Sequence, residues 1–212
     1  MIPVKICGIT SYSDAQIVIN YNPSAIGFIF YKNSVRYVDP HCIVSWVDNI
    51  PSNIKKVGVF VNEKIDIVES IVSLLDLDYI QLHGYETPDY CSSLSRPVIK
   101  AIRVNKSLDN SLLYEYNVYA ILLDTYEVGV VGGTGKIFNW ELALGLDIKM
   151  PIILSGGLNV KNIIAGINIV KPDAVDINSG VEFSPGKKDS MKVKTIFKKL
   201  ENVVSTSSIF DN

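Results

Sequence analysis

Two residues with opposite acid–base chemistry stand at comparable places in this 212-residue chain. Cys7, in Lys5-Ile6-Cys7-Gly8, closes a short apolar run near the start, and Asp124 directly follows Ala120-Ile121-Leu122-Leu123. A thiolate removes protons, and burial favours the neutral carboxyl that can donate one. Taken singly, Cys7 reads as a small buried hydrophobe. Asp124 alone reads either as a proton donor or as a capping or ion-paired carboxylate. A run end followed by Gly8 strengthens the reactive reading of the thiol.

Other polar residues fall just after apolar runs. Ser155-Gly156-Gly157-Leu158 and Ser179-Gly180-Val181 are glycine-bearing loops, where backbone N–H groups can approach an anion such as phosphate, although a tight turn uses the same residues. Arg36, in the loop after the second run, offers a planar fork suited to a carboxylate, or is a solvated charge. His83 is an acid, a base or a substrate contact, or a structural histidine at the end of a core strand. Asn62, Arg103, Asp176 and Asn178 stand at similar run ends. Gly132-Gly133-Thr134-Gly135-Lys136 lacks the spacing of a nucleotide P-loop and reads as a lid. Cys42, Cys91, Trp46 and Trp140 fall in helical segments and read as packing residues.

The elements that must position these groups are regular. Short runs rich in Val and Ile occupy residues 4–9, 25–31, 56–61, 79–82, 97–102, 119–123, 151–154 and 174–177. They are continuous, not alternating, as strands covered on both faces are. Helical spacing separates most of them: Ile65, Val68, Ile71, Val72 and Leu75; Val160, Ile163, Ile164 and Ile167; Val193, Ile196, Phe197 and Leu200. Ser13 and Asp14 mark one helix start and Asn159 another. Segments 112–116 and 140–144 are the shortest helices expected. Eight strand–helix units of similar length, none with a polar edge, predict one α/β domain, a closed (β/α)8 barrel over residues 1–204 with a frayed tail at 205–212. In such a barrel the strand C-terminal ends carry the active site and the loops after strands seven and eight bind phosphate. All the polar run ends then share one rim.

Composition narrows the partners. A hydrophobic fraction of 48% supports a full core, and a net charge of −2 gives no field that would draw nucleic acid or an anionic membrane. No run approaches the roughly 20 apolar residues of a membrane span. Three cysteines without a C-x-x-C pair suggest neither disulfides nor zinc. With no leader-like start, the expectation is a cytoplasmic protein acting on a small molecule, as a monomer or homodimer.

The motifs themselves resemble the phosphoribosylanthranilate isomerase family. Lys5-Ile6-Cys7-Gly8-Ile9-Thr10, Gly27-Phe28-Ile29-Phe30 with Ser34-Val35-Arg36-Tyr37, and Val57-Gly58-Val59-Phe60-Val61-Asn62 carry the resemblance. So do Gln81-Leu82-His83-Gly84, Leu122-Leu123-Asp124-Thr125, Leu154-Ser155-Gly156-Gly157-Leu158 and Val175-Asp176-Ile177-Asn178-Ser179-Gly180-Val181-Glu182, in family order from residue 5 to about 200. The resemblance implies a TIM barrel enzyme of tryptophan biosynthesis that needs no cofactor and no metal. It converts N-(5-phosphoribosyl)anthranilate to the carboxyphenylamino-deoxyribulose phosphate by an Amadori rearrangement. Asp124 would protonate the ribose ring oxygen and Cys7 would take the C2′ proton. Arg36 would hold the anthranilate carboxylate, Asp176 the sugar hydroxyls, and the backbone at Gly156, Gly157, Ser179 and Gly180 the phosphate, with His83 a further substrate contact. Asn178, in place of a commoner serine, and Tyr126-Glu127-Val128 depart from the family pattern. The alternatives are a histidine-pathway type of aminoaldose isomerase, which carries Asp where this chain has Cys7, and a non-catalytic phosphate-binding barrel.

Overall fold

In a computed structural model of the chain, residues 1–104, 113–125, 139–144, 146, 148–205 and 207–211 are described. Eight parallel strands close into a barrel in chain order. They are β1 (Val4–Ile6), β2 (Ala25–Ile29), β3 (Lys55–Phe60), β4 (Tyr79–Leu82), β5 (Val98–Val104), β6 (Ala120–Thr125), β7 (Ile152–Leu154) and β8 (Ala174–Ile177). Every predicted apolar run overlaps its strand, although β3 starts one residue before its run and β5 and β6 each extend two residues past theirs. The seam is β1 on β8, where Val4, Lys5 and Ile6 pair with Val175, Asp176 and Ile177.

Strand residues point alternately inward and outward, and this period of two sorts the chemistry. Outward side chains such as Ile80, Leu82, Ile121, Leu123, Val175 and Ile177 pack in the layer between barrel and helices. Inward ones, including Val57, Tyr79, Ala120, Leu122 and Ala174, fill the lower barrel. Continuing each inward series by two residues leads from Tyr79 to Gln81 and His83, from Leu122 to Asp124, and from Ala174 to Asp176.

The helices are α1 (Tyr12–Ile19), α2 (Pro40–Val44), α3 (Ile65–Leu75), α4 (Pro88–Ser92), α5 (Ile163–Val170) and α6 (Ser190–Leu200). In α6 the predicted stripe Val193, Ile196, Phe197 and Leu200 is buried, and Asp189 caps the start by accepting from the N–H groups of Met191 and Lys192. α5 begins at Ile163, three residues later than Val160. The cause is an asparagine turn in which Asn159 N–H donates to Asn162 Oδ1 and both side-chain amides donate to the Gly157 carbonyl. Trp140–Ala143 is a 3-10 turn, not an α-helix. Cys42 is exposed on α2, against the expectation of a core residue, whereas Cys91 is buried. Residue 112, Tyr126-Glu127-Val128 and the lid expected at Gly132-Gly133-Thr134-Gly135-Lys136 lie outside the described residues. Among the described residues no helix is long and apolar enough to cross a membrane.

Within the tail expected to fray, Ile209 and Phe210 are docked on the barrel. Ile209 and Phe210 are each 2% exposed and pack into the lower barrel cluster with Ala25, Tyr79, Ala120 and Ala174. Phe210 N–H donates to Tyr119 Oη at 3.1 Å, and its ring meets Tyr79 edge-on at 5.4 Å. Alanines at the first positions of β2, β6 and β8 leave room at that end, and the tail fills it. Phe210→Ala should lower unfolding free energy by about 2 kcal/mol, the worth of one buried aromatic side chain. The check is the urea midpoint at unchanged m value; a midpoint equal to the parent's would mean that the tail is not docked.

Candidate active site

At the C-terminal end of the strands lies a concave cavity open to solvent. Cys7, Arg36, His83, Asp124, Gly156, Gly157, Asp176 and Ser179 all line it. Gly180 stands just outside that lining, and a Cβ there would collide with the Leu158 carbonyl, so the loops after β7 and β8 touch at this glycine. Gly156 and Gly157 have φ of +81° and +71°, a region that side chains disfavour. A Cβ on Gly156 would also lie 2.7 Å from the Thr125 backbone nitrogen, which ties this loop to the end of β6. Asn62 and Arg103 stay on the rim: Asn62 Oδ1 accepts from Tyr85 N–H at 2.6 Å, and Arg103 Nη2 donates to the His83 carbonyl at 2.6 Å.

Cys7 sits over a buried ion pair. Lys5, two residues earlier on the same inward face and fully buried, donates to Asp176 Oδ1 at 2.9 Å. A Cβ on Gly27 would lie 2.8 Å from Cys7 Sγ and 3.2 Å from Lys5 Nζ, so thiol and ammonium crowd the same spot. Burial pushes the Cys7 thiol above the ordinary cysteine range; Lys5 and Lys188 pull it back, while Asp176 adds to the rise. Burial works against the Lys5 ammonium, but Asp176 and Cys7 together outweigh it and hold the ammonium above the usual lysine range. The sulfur is therefore a scarce but strong base beside a fixed cation.

Asp124 has its two oxygens committed differently. Oδ1 accepts from Thr125 N–H at 2.7 Å, and Oδ2 lies 3.0 Å from His83 Nε2. His83 is thus tied to the candidate acid, a role its position alone did not reveal. Gln81, not assigned any role from sequence, lies behind it, its side-chain amide 3.2 Å from His83 Nδ1.

Arg36 is not a solvated loop charge. It is 6% exposed and grips Glu182 through Nε at 2.9 and 3.0 Å and Nη2 at 2.7 Å. Glu182 opens a hairpin of β9 (Glu182–Ser184) and β10 (Lys187–Lys188), and its partner in register, Lys188, donates to Glu182 at 3.0 Å and to the Cys7 carbonyl at 2.6 Å. Burial works against the Glu182 carboxylate, but Arg36 and Lys188 outweigh it and hold its pKa below the usual range. Burial also lowers Lys188, against the pull of Glu182. Sequence reasoning missed Glu182, Lys188 and Lys5. The available signal was a charged residue in step with an inward strand series or near an otherwise apolar strand end. Among the described residues no group of three His, Cys, Asp or Glu side chains is placed to hold a metal ion.

Known proteins resemble this chain in sequence and fold. The model of the N-(5′-phosphoribosyl)anthranilate isomerase family matches residues 4–199. The N-(5′-phosphoribosyl)anthranilate isomerase of Pelobacter propionicus is 40% identical over 208 residues, covering 98% of this chain and all of that protein. Monomers generated from the dimeric phosphoribosylanthranilate isomerase of Thermotoga maritima superpose with a TM-score of 0.85 at 36% identity, over 95% of this chain and 99% of that one. A phosphoribosyl anthranilate isomerase in complex with reduced 1-(o-carboxyphenylamino)-1-deoxyribulose 5-phosphate gives 0.83 at 36% identity, over 95% and 99% of the two chains. A closed eight-stranded barrel with a buried thiol, carboxyl and oriented arginine at one mouth, matched along nearly its whole length, places the chain in the N-(5′-phosphoribosyl)anthranilate isomerase family.

Proposed function

We propose that this chain isomerises N-(5′-phosphoribosyl)anthranilate to 1-(2-carboxyphenylamino)-1-deoxyribulose 5-phosphate, a step of tryptophan biosynthesis, with Asp124 as acid and Cys7 as base. The observation that carries the reading is that both side chains are buried and line one cavity with Arg36 and the two glycine-bearing loops. Asp124 gives its proton to the ribose ring oxygen. The C1′–O bond breaks with its electrons going to that oxygen, and the anthranilate nitrogen lone pair forms the C1′=N bond. The Cys7 thiolate then takes the C2′ proton, and the C–H electrons move toward the iminium nitrogen to give an enolamine. Loss of the enol proton and protonation at C1′ complete the ketose.

The remaining contacts follow from charge and donors. Arg36 has Nε and Nη2 on Glu182, which leaves Nη1 for the anthranilate carboxylate. Asp176 accepts sugar hydroxyls from a position fixed by Lys5, and the backbone at Gly156, Gly157, Ser179 and Gly180 takes the phosphate, as loops after strands seven and eight of such barrels do. The reading carries a cytoplasmic location, supported by three unpaired cysteines. The dimeric origin of the Thermotoga maritima relative supports a homodimer. Sedimentation should then give about twice the chain mass of 23.4 kDa, and a species at the chain mass would refute it.

Cys7→Ser and Asp124→Asn should each lower kcat by about 100- to 10,000-fold, the usual worth of a positioned acid or base, while binding of a reduced product analogue persists. Near-parent turnover in either variant removes that residue from the chemistry. Arg36→Lys keeps the charge but loses the fork, and KM should rise about tenfold or more, as for a lost charged hydrogen bond, with kcat much less affected. An unchanged KM takes Arg36 out of substrate binding.

A further inference from the structure

Arg36 meets the cavity with part of its guanidinium already engaged. The side-on fork of Nε and Nη2 is closed on Glu182, whose carboxylate also balances much of the charge. A substrate carboxylate therefore meets only the outer edge of the guanidinium. Its two oxygens offer about four acceptor sites, and in a site closed to water the sites that Arg36 does not reach need donors of their own.

Asn178 stands where such a donor is wanted. It lines the same cavity, half-buried, in the turn that follows β8. A Cβ on Gly8 would lie 2.5 Å from Asn178 Oδ1 and 3.0 Å from Arg36 Cδ, so the amide and the arginine flank this glycine.

The neighbour of the amide fixes which way it is turned. Lys188 Nζ lies 3.3 Å from Asn178 Oδ1, 3.0 Å from Glu182 Oε1 and 2.6 Å from the Cys7 carbonyl. An ammonium ion-paired to a carboxylate has three donors and no lone pair, so only the oxygen end of an amide is tolerated against it. The opposite orientation would set an NH₂ group against the ammonium. Nδ2 thus faces away from Lys188. It makes no cap to the 3-10 turn at Ser179–Val181 and has no hydrogen-bond partner among the described residues, yet it is not sealed from solvent. The hydroxyls of Tyr31 and Ser34 line the cavity as well, but their protons swing about the C–O bond. A donor already locked in place gives up less freedom on binding.

We propose that Asn178 is a specificity-determining residue: its side-chain amide nitrogen donates to the anthranilate carboxylate beside the outer edge of Arg36, with Lys188 holding the amide in that orientation. The inference rests on the carboxylate-binding role given to Arg36 above. A ligand that lacks the carboxylate leaves both donors to water and gains nothing from either.

The test is calorimetric binding to the purified chain of two ligands that need no turnover. One is reduced 1-(2-carboxyphenylamino)-1-deoxyribulose 5-phosphate, and the other is its phenylamino counterpart without the carboxyl group. The parent should prefer the carboxylated ligand. Asn178→Leu should cut that preference about tenfold, as for a lost hydrogen bond to a charged group, and leave the Kd of the carboxyl-free ligand nearly unchanged. Asn178→Asp keeps an oxygen for Lys188 but replaces the NH₂ group with a charged oxygen, so the preference should fall further. A preference that survives in both folded variants overturns the proposal and leaves the reading of Arg36 standing. Equal weakening of both ligands also overturns it, because the amide would then serve the sugar or the phosphate. A parent that binds the two ligands alike refutes the carboxylate role of Arg36, and the proposal falls with it.

Discussion

The barrel closes where β1 meets β8, and at that seam Lys5 and Asp176 are both partners in register and partners in charge. Both are buried, so neither ion is tolerable without the other; removing one partner of such a pair commonly costs about 3–5 kcal/mol. The pair also sets the chemistry above it. Cys7 lies two residues past Lys5 on the same face, and the ammonium offsets part of the rise that burial and Asp176 impose on the thiol. Fold closure and the electrostatic setting of the thiol thus share one interaction.

Strand alternation carries the rest of the site. Apolar inward residues fill the lower barrel, and the next inward position on β1, β4, β6 and β8 is polar. A second buried charge group, Arg36 with Glu182 and Lys188, depends on the β9–β10 hairpin, which brings residues 182 and 188 face to face. Lys188 then reaches the Cys7 carbonyl, so Arg36 and the Cys7 segment are held by one network. The loop glycines add close approach: no side chain fits at Gly180 against Leu158.

Much of this was legible in the sequence because it depends on local pattern. Eight apolar runs and their end residues marked the strands and the rim, and the pocket contains Cys7, Arg36, His83 and Asp124 together. What was not legible depends on who stands opposite whom. Arg36 as a loop residue gives no sign of Glu182, which is 146 positions away. Gln81 reads as one polar residue in an apolar run until His83 and Asp124 are seen beyond it. The polar tail looked frayed because burial of Ile209 and Phe210 depends on space left by alanines on three separate strands. Cys42 faces solvent because the short α2 turns only Ile43 inward.

The reaction assigned to this barrel mouth is conversion of an aminoaldose to a ketose. Proton NMR of N-(5′-phosphoribosyl)anthranilate with the purified chain tests it directly, because the anomeric C1′ proton of the substrate becomes part of a C1′ methylene in the product. Loss of the anomeric signal and growth of the methylene signal, at a rate proportional to protein, is the predicted result. Decay no faster than in protein-free buffer would contradict it.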